Sequence, residues 1–449
     1  MTGRENPQLS IIIPIYNGAA YLAGCIESAL KQNCTKQIIC VDDGSNDGTA
    51  EILKQYAQKH EEIKVITHEV NQGTYLSRYD GISAAEGEFL TFIDADDEFV
   101  PYTLDRLCCI ARFEKTDILE FGTKVNVCGD CSTKQAESNQ QVMNPEARQL
   151  NNEDFCNLCF KENRISDAIG GKLFSERLYH KAFEAMEHIK LPNIIADADY
   201  IIWHMLLFAE KLQSVEQTGY IYFAGRGISH HAEESFAHLK EYCKGKVFYE
   251  ALLRSAEKQN ILETALPAIS NIYQGIKMQS VRCWAQRLKK ADQEKGLPLL
   301  IKTWGMTDIV DILTVLYKED PEKIKPFFSC FDFPEKEGKG VVCLIHEELS
   351  DTEAQLLRAE AERLAADKKL WMLTEGNRDF GWEPNVNMLS LPVQYDNLTV
   401  RNWQLRILLD GIQADTIVTG KSEHSETDCF VGRSLGYRVF LYPQADNAI

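Results

Sequence analysis

From Leu9 to Asp97 short apolar runs alternate with amphipathic stretches. Ser10–Tyr16 is a β-branched run, as expected of a strand covered on both faces. Asn17-Gly18 breaks it, and Tyr21, Leu22, Cys25, Ile26 and Leu30 then recur at helical spacing. Gln37–Val41 is a second strand, followed by the polar loop Asp42–Gly48. Asp47 or Thr49 can cap the next helix, which carries Ile52, Leu53 and Tyr56. Ile63–Thr67 is a third strand, Tyr75–Ala85 a helix and Phe89–Ile93 a fourth strand. This order predicts an α/β fold with a doubly wound sheet, which binds ligands at the carboxyl ends of its strands. The polar loops all fall at those ends.

Pro101 to Ser229 reads as mixed and less regular, and Glu234 to Phe328 as mostly helical, with apolar spacing through Leu239, Tyr242, Val247, Leu252 and Leu253. Pro326–Gly340 has linker composition. A βα pattern then restarts. Val341–Ile345, Leu370–Leu373, Val386–Leu391, Asp415–Thr419 and Arg438–Tyr442 are candidate parallel strands, and Thr352–Lys369 is a helix. The first of these strands lacks a following GxGxxG. Ser422–Glu426 ends another, where a ligand loop or, more commonly, a solvated loop would sit.

At 449 residues the chain is long enough for two or three domains. Its net charge of -19 argues against nucleic acid and anionic membranes as partners, though not against a nucleotide in a locally basic cleft. The opening residues lack the apolar core of a signal peptide, and no apolar run approaches membrane-spanning length. With 14 unpatterned cysteines, the expectation is a reduced, cytoplasmic protein, with peripheral attachment to a membrane's inner face left open. Cys128/Cys131 and Cys156/Cys159 are two CxxC pairs, but their separation favours free thiols over a zinc site.

Candidate chemistry concentrates in four segments. Pro14-Ile15-Tyr16-Asn17 ends the first strand with an aromatic ring, and Asp42-Asp43 ends the second with acids. Asn71-Gln72-Gly73-Thr74 is followed by Arg78. Asp94-Ala95-Asp96-Asp97 closes the fourth strand with three carboxylates, a density of like charge that a divalent cation such as Mn2+ or Mg2+ would relieve.

In order and spacing, the segments SIIIPIYNG, VDDGSNDGT, NQGTYLSRYDGISAAEGEF and FIDADDEFVP resemble the family 2 glycosyltransferases, densely over the first hundred residues and thinly to about Ser229. The resemblance implies a GT-A fold, a nucleotide-diphosphate sugar donor, and transfer with inversion to a hydroxyl on a glycan, lipid-linked glycan or protein. It implies a donor site of Pro14, Tyr16, Asp43, Gly73, Arg78, Asp94, Ala95, Asp96 and Arg226. Tyr16 would stack on the base, and Asp43 would accept from a base ring N–H, which favours uracil. Arg78 would face base or diphosphate. Asp96 would hold the metal directly, and Asp94 the ribose or a metal-bound water. Tyr79 stands where the family often has Asn.

An inverting transfer needs a base opposite the leaving group. The resemblance places it in Ile194–Trp203, with Asp199 preferred over Asp197, which suits an N-cap. Gly170–Phe174 would shape the acceptor side. Tyr220–His230 would close over the phosphates, with Arg226 or His230 neutralising their charge. His230 as a further metal ligand competes with an ordinary solvated histidine. The expected domains are a catalytic GT-A domain at 1–232, a helical extension at 233–332 and a smaller Rossmann-like α/β domain at 333–449. The last would serve acceptor recognition or formation of a homo-oligomer. Two rivals remain. A nucleotidyltransferase would carry a Gly-rich basic loop, absent after Pro14. A catalytically inactive, partner-binding scaffold would show no donor hydrolysis.

Overall fold

The computed structural model describes residues 7–128, 143–144, 149–150, 168–190, 197–226, 235–329, 331, 338, 340–346, 349–366, 368–375, 387–391, 402, 404–406, 408–409, 412, 414–422 and 424–442. The chain separates into two compact units, 1–276 and 277–449. The helical stretch expected at 233–332 is divided between them.

The first unit opens with β1 (Leu9–Ile15), α1 (Leu22–Leu30), β2 (Lys36–Asp42), α2 (Thr49–Lys59), β3 (Ile63–Thr67), α3 (Thr74–Ser83) and β4 (Phe89–Phe92). It continues with β5 (Glu98–Phe99), α4 (Leu104–Glu114), β6 (Ile118–Val127), β7 (Gln149–Leu150), β8 (Lys172–Ser175), α5 (Glu176–Ala185), α6 (Asp197–Phe208), β9 (Leu212–Ala224) and α7 (Phe236–Lys258), and α8 (Leu262–Arg282) runs past the boundary at 276. The strand order is β3-β2-β1-β4-β8-β6-β9-β5, with β7 paired to β9. The β3-β2-β1-β4 half is parallel, and β8 lies antiparallel to both β4 and β6. This is the doubly wound, mostly parallel sheet expected from the sequence.

Every residue of β1 is buried, as its apolar run requires. Pro14 is tolerated in this central strand for a geometric reason. Ile12 faces β4, where the N–H of Ile93, just past that strand, donates to the Ile12 carbonyl, and Ile15 faces the β2 side, accepting from Asp43 N–H. Pro14 shares the phase of Ile12, but pairing with β4 ends at Ile12, so the missing N–H leaves no ladder bond unmade. Tyr16 falls just beyond the strand and is 44% exposed. Helix α3 packs closely on β1: a Cβ on Gly81 would come within 2.5 Å of Ile12 Cγ2.

The second unit has the helices α9 (Lys290–Trp304), α10 (Met306–Glu319) and α11 (Pro321–Ile324). A parallel α/β layer follows, of β10 (Gly340–Ile345), α12 (Asp351–Ala365), β11 (Lys369–Glu375), β12 (Asn387–Leu391), β13 (Thr416–Gly420), α13 (Ser425–Ser434) and β14 (Arg438–Tyr442). Strand order β12-β11-β10-β13-β14 is the expected Rossmann-like arrangement. Helix α12 stops earlier than the expected Lys369, because Ala366 takes φ 37°. The Ser422–Glu426 segment opens α13: the Ser422 hydroxyl accepts from His424 N–H, and the Ser422 carbonyl from the Ser425 hydroxyl.

Candidate active site

Three connections at the carboxyl edge of the first sheet are laced together by short polar side chains. Asn17, at φ 52°, receives its bond through the Asn46 N–H, while its own N–H donates to Ser45 Oγ. Gly18 N–H donates to Thr49 Oγ1, and Ala19 N–H to Asp47 Oδ2. Asp47 also takes both the N–H and hydroxyl of Thr49, but neither expected residue caps α2: the N-cap is Gly48, in the left-handed region at φ 94°, with no side-chain cap hydrogen bond. Gly44 (φ +71°) lies against the β3–α3 connection; a Cβ there would fall 2.9 Å from Asn71 N and Val70 C. Only glycine meets both conditions without strain.

Of the two acids ending β2, Asp42 accepts the Ser45 N–H and closes the turn. Asp43 is 2% exposed and faces the β3–α3 loop. Its Oδ1 accepts from Gln72 N–H at 2.8 Å and lies 2.7 Å from His68 Nδ1, and its Oδ2 accepts from Gly73 N–H at 2.8 Å. The other ring nitrogen of His68 sits 2.9 Å from Asp80. A carboxylate offers about four lone-pair positions. Three are filled here, leaving one on Oδ2. Asn71, the residue before Gln72 in this loop, has its Oδ1 buried with no hydrogen-bond partner. His68 is absent from the site as read from the sequence, and Asn71 entered it only as part of the Asn71–Thr74 segment, with no role of its own. The available signal for His68 was its place, directly after β3.

The acidic strand end differs from the charge conflict its sequence implied. Arg78, buried on α3, donates to Asp94 Oδ1 at 2.8 Å. Asp97 is turned inward, 2% exposed, and accepts from the Tyr220 hydroxyl at 2.7 Å and Phe223 N–H at 2.9 Å. Burial, with the charge of Asp94 beside it, pushes the Asp97 carboxyl up to about 8. Two of the three acids are thus accommodated by the protein itself, so a cation is not needed to make this loop foldable. The backbone is held as well. Asp94 N–H donates to Tyr220 Oη at 3.3 Å, Cys25 Sγ reaches Asp94 O, and Arg226 Nη1 reaches Asp96 O at 3.3 Å.

Among the described residues, no group of three or more His, Cys, Asp or Glu side chains could cage a metal. Mg2+ is commonly bound by only one or two carboxylates, its shell completed by substrate phosphates and water, so an all-protein cage is not what such an ion requires. Asp96, with Asp94 beside it, would hold such an ion.

Other expected site residues fall less cleanly. Asp197 and Asp199 lie in the first turn of α6, and their side chains are outside the described residues. His230 lies outside them too, as do Cys131, Cys156 and Cys159. Helix α6 is anchored by Tyr200, whose ring meets Tyr75 of α3 at 5.4 Å and Phe248 of α7 at 4.7 Å. The Tyr75 hydroxyl donates to Glu187 O, and the Tyr200 hydroxyl accepts Glu187 N–H. Tyr79 packs on Phe183 at 4.6 Å instead of presenting a polar amide. Lys172 faces the sheet interior, donating to Ala168 O and lying 3.5 Å from buried Glu120, so within Gly170–Phe174 it braces the core.

Residues 10–161 match the profile described as Glycosyl transferase family 2. Over this stretch, about a third of the chain, the sequence is similar to the family 2 glycosyltransferases. It is 36% identical over 114 residues to the uncharacterized glycosyltransferase YibD of Escherichia coli, covering 25% of this chain and 33% of that one. It is 37% identical over 115 residues to a poly(ribitol-phosphate) beta-glucosyltransferase of Bacillus spizizenii, covering 25% and 18%. A third relative, putative glycosyltransferase EpsH of Bacillus subtilis, is 38% identical over 116 residues, 26% of this chain and 33% of that one. The chain thus spans a third or less of the length of these relatives. Among solved structures, S. aureus TarS 1-349 in complex with UDP is similar at 18% identity and a TM-score of 0.47, covering 71% of this chain and 82% of that one. The matched stretch lies within the first unit, and the second unit lies wholly outside it. No helix among the described residues is long and apolar enough to cross a membrane.

Proposed function

We propose that the first unit transfers a sugar, with inversion, from a nucleotide-diphosphate donor to an acceptor hydroxyl. The donor base would be uracil. The observation that carries this reading is a braced, nearly saturated Asp43 whose own N–H donates to the carbonyl of Ile15, the residue before the exposed Tyr16, with a partnerless Asn71 Oδ1 on the loop that braces it. A single open lone pair on Asp43 accepts one N–H, and a buried amide oxygen calls for a donor. A uracil ring supplies its N3–H to the first, and Tyr16 supplies a flat face for stacking. Cytosine and adenine present an acceptor at the ring nitrogen and would be rejected, since a buried acceptor facing an acceptor stays unpaired.

The diphosphate would then extend toward Arg78, Asp96 and Arg226. A divalent ion held at Asp96 supplies charge stabilisation to the departing nucleoside diphosphate. Arg78 orients Asp94 toward the ribose. Asp199, in the first turn of α6, takes the acceptor proton, with Asp197 the alternative for that role. The acceptor is a hydroxyl on a glycan, lipid-linked glycan or protein; the relative named for poly(ribitol-phosphate) adds polyol-phosphate polymers to those worth screening. The second unit would recognise acceptor or join copies of the chain.

The test is donor hydrolysis and transfer across nucleotide sugars with and without Mn2+. Asp96→Ala should lower turnover at least about a hundredfold, because stabilisation of the leaving diphosphate is expected to be the largest single contribution. Near-wild-type turnover in that variant would end the metal assignment. Absence of hydrolysis with any UDP-sugar in the wild-type chain would favour a binding scaffold.

A further inference from the structure

Arg226 is held in an unusual setting. Its guanidinium carbon lies 3.6 Å from the centroid of the Phe223 ring and 4.8 Å from that of Tyr21. Phe223 belongs to the end of β9 and Tyr21 to the connection between β1 and α1, so two separate loops meet on one cation. Phe223 is itself fixed, since its N–H donates to Asp97. Among the described residues no carboxylate pairs with Arg226, in a chain whose net charge is -19. Instead Nη1 donates to the Asp96 carbonyl, on the loop whose side chains would hold the ion. A guanidinium has five N–H donors in a planar fork. Aromatic faces attract such a cation without consuming those donors, so the rings hold the charge in place while leaving most of its hydrogen-bonding capacity for a ligand.

We infer that Tyr21 and Phe223 are positioning residues that hold Arg226 as a preorganised diphosphate-binding cation. This rests on the nucleotide-sugar reading above. The rings contact Arg226 and act through it. They set how strongly the site binds the phosphates, and leave the contacts with the base untouched.

The experiment measures calorimetric Kd values for UDP, UMP and uridine, in EDTA and in Mn2+, for the full chain and for Tyr21→Ala, Tyr21→Phe, Arg226→Ala and the double variant Tyr21→Ala/Arg226→Ala. Tyr21→Ala should weaken UDP about fivefold and leave uridine unchanged, the size expected for losing one half-exposed cation–π contact. Tyr21→Phe keeps the ring and should bind UDP as the wild type does. In the Arg226→Ala background the Tyr21→Ala change should have no further effect, because the two act as one unit. A purely structural Tyr21 would lower the melting temperature and leave the UDP-to-uridine ratio unchanged; that result overturns the inference alone. No UDP binding by the wild-type chain would overturn the nucleotide reading, and this inference with it.

Discussion

Tyr220→Phe removes one oxygen atom from the middle of the acidic loop. In the wild type that hydroxyl donates to Asp97 Oδ2 at 2.7 Å and accepts Asp94 N–H at 3.3 Å. The ring is retained, packed edge-on to Phe99 at 5.8 Å, so the cavity left is smaller than a methyl group. Two losses follow. Asp97 gives up a hydrogen bond in a buried setting, and the Asp94 N–H is left without its acceptor. Together they should destabilise the first unit by about 2–3 kcal/mol. For a unit of this size that corresponds to a fall in melting temperature of roughly 5–8 °C. The functional effect is larger, because Asp94 and Asp96 lie on the loop that the hydroxyl restrains. A misplacement of about 1 Å can lower a rate on the order of a hundredfold, so a loss of ten- to a hundredfold in turnover is expected. Scanning calorimetry and a coupled UDP-release assay measure both, with Tyr102→Phe as control, its ring being 62% exposed. A melting temperature within about 1 °C of wild type together with turnover within about twofold would refute the idea that Tyr220 fixes this loop.

Gly44→Ala forces a Cβ to within 2.9 Å of the Val70–Asn71 backbone at a residue with φ +71°. A cost of about 2 kcal/mol or more and at least about tenfold weaker UDP binding are expected, read by denaturant titration and calorimetry. His204 is fully buried; its Nδ1 must donate to Tyr200 O, which leaves Nε2 to accept from Ser255 Oγ as a neutral ring. Burial pulls this imidazole down from 6.5 to about 4. The unfolded chain therefore takes up the proton first as pH falls. Stability should drop between pH 6.5 and about 4, by up to about 3 kcal/mol, and His204→Phe should flatten that part of the profile in urea melts at a series of pH values.

Much of the first unit was legible in the chain because its information is local. The run Ile11-Ile12-Ile13, the helical spacing through Leu22, Cys25 and Ile26, and loops closing after Ile15, Asp42, Thr67 and Phe92 each reside in a few adjacent residues. Their order alone placed Tyr16, Asp43, Arg78 and Asp96 at one edge of a parallel sheet. The restarted βα pattern after Val341 was readable for the same reason. Strand β8 was not, because its four residues gain their partners only by running antiparallel between β4 and β6.

What the site residues do with one another belongs to the tertiary structure. Asp97 reads as a third acid in a row, yet it is turned inward by Tyr220 and Phe223, more than a hundred residues away. Arg226 reads as a loop cation, and it is the rings of Tyr21 and Phe223 that hold it beside Asp96. Asp43 became a carboxylate with one open position only when His68, Gln72 and Gly73 closed around it. Periodicity tells which residues share a face or an end of the sheet. Which donor meets which acceptor depends on distances of a few tenths of an ångström between segments far apart in the chain, and those are decided by packing.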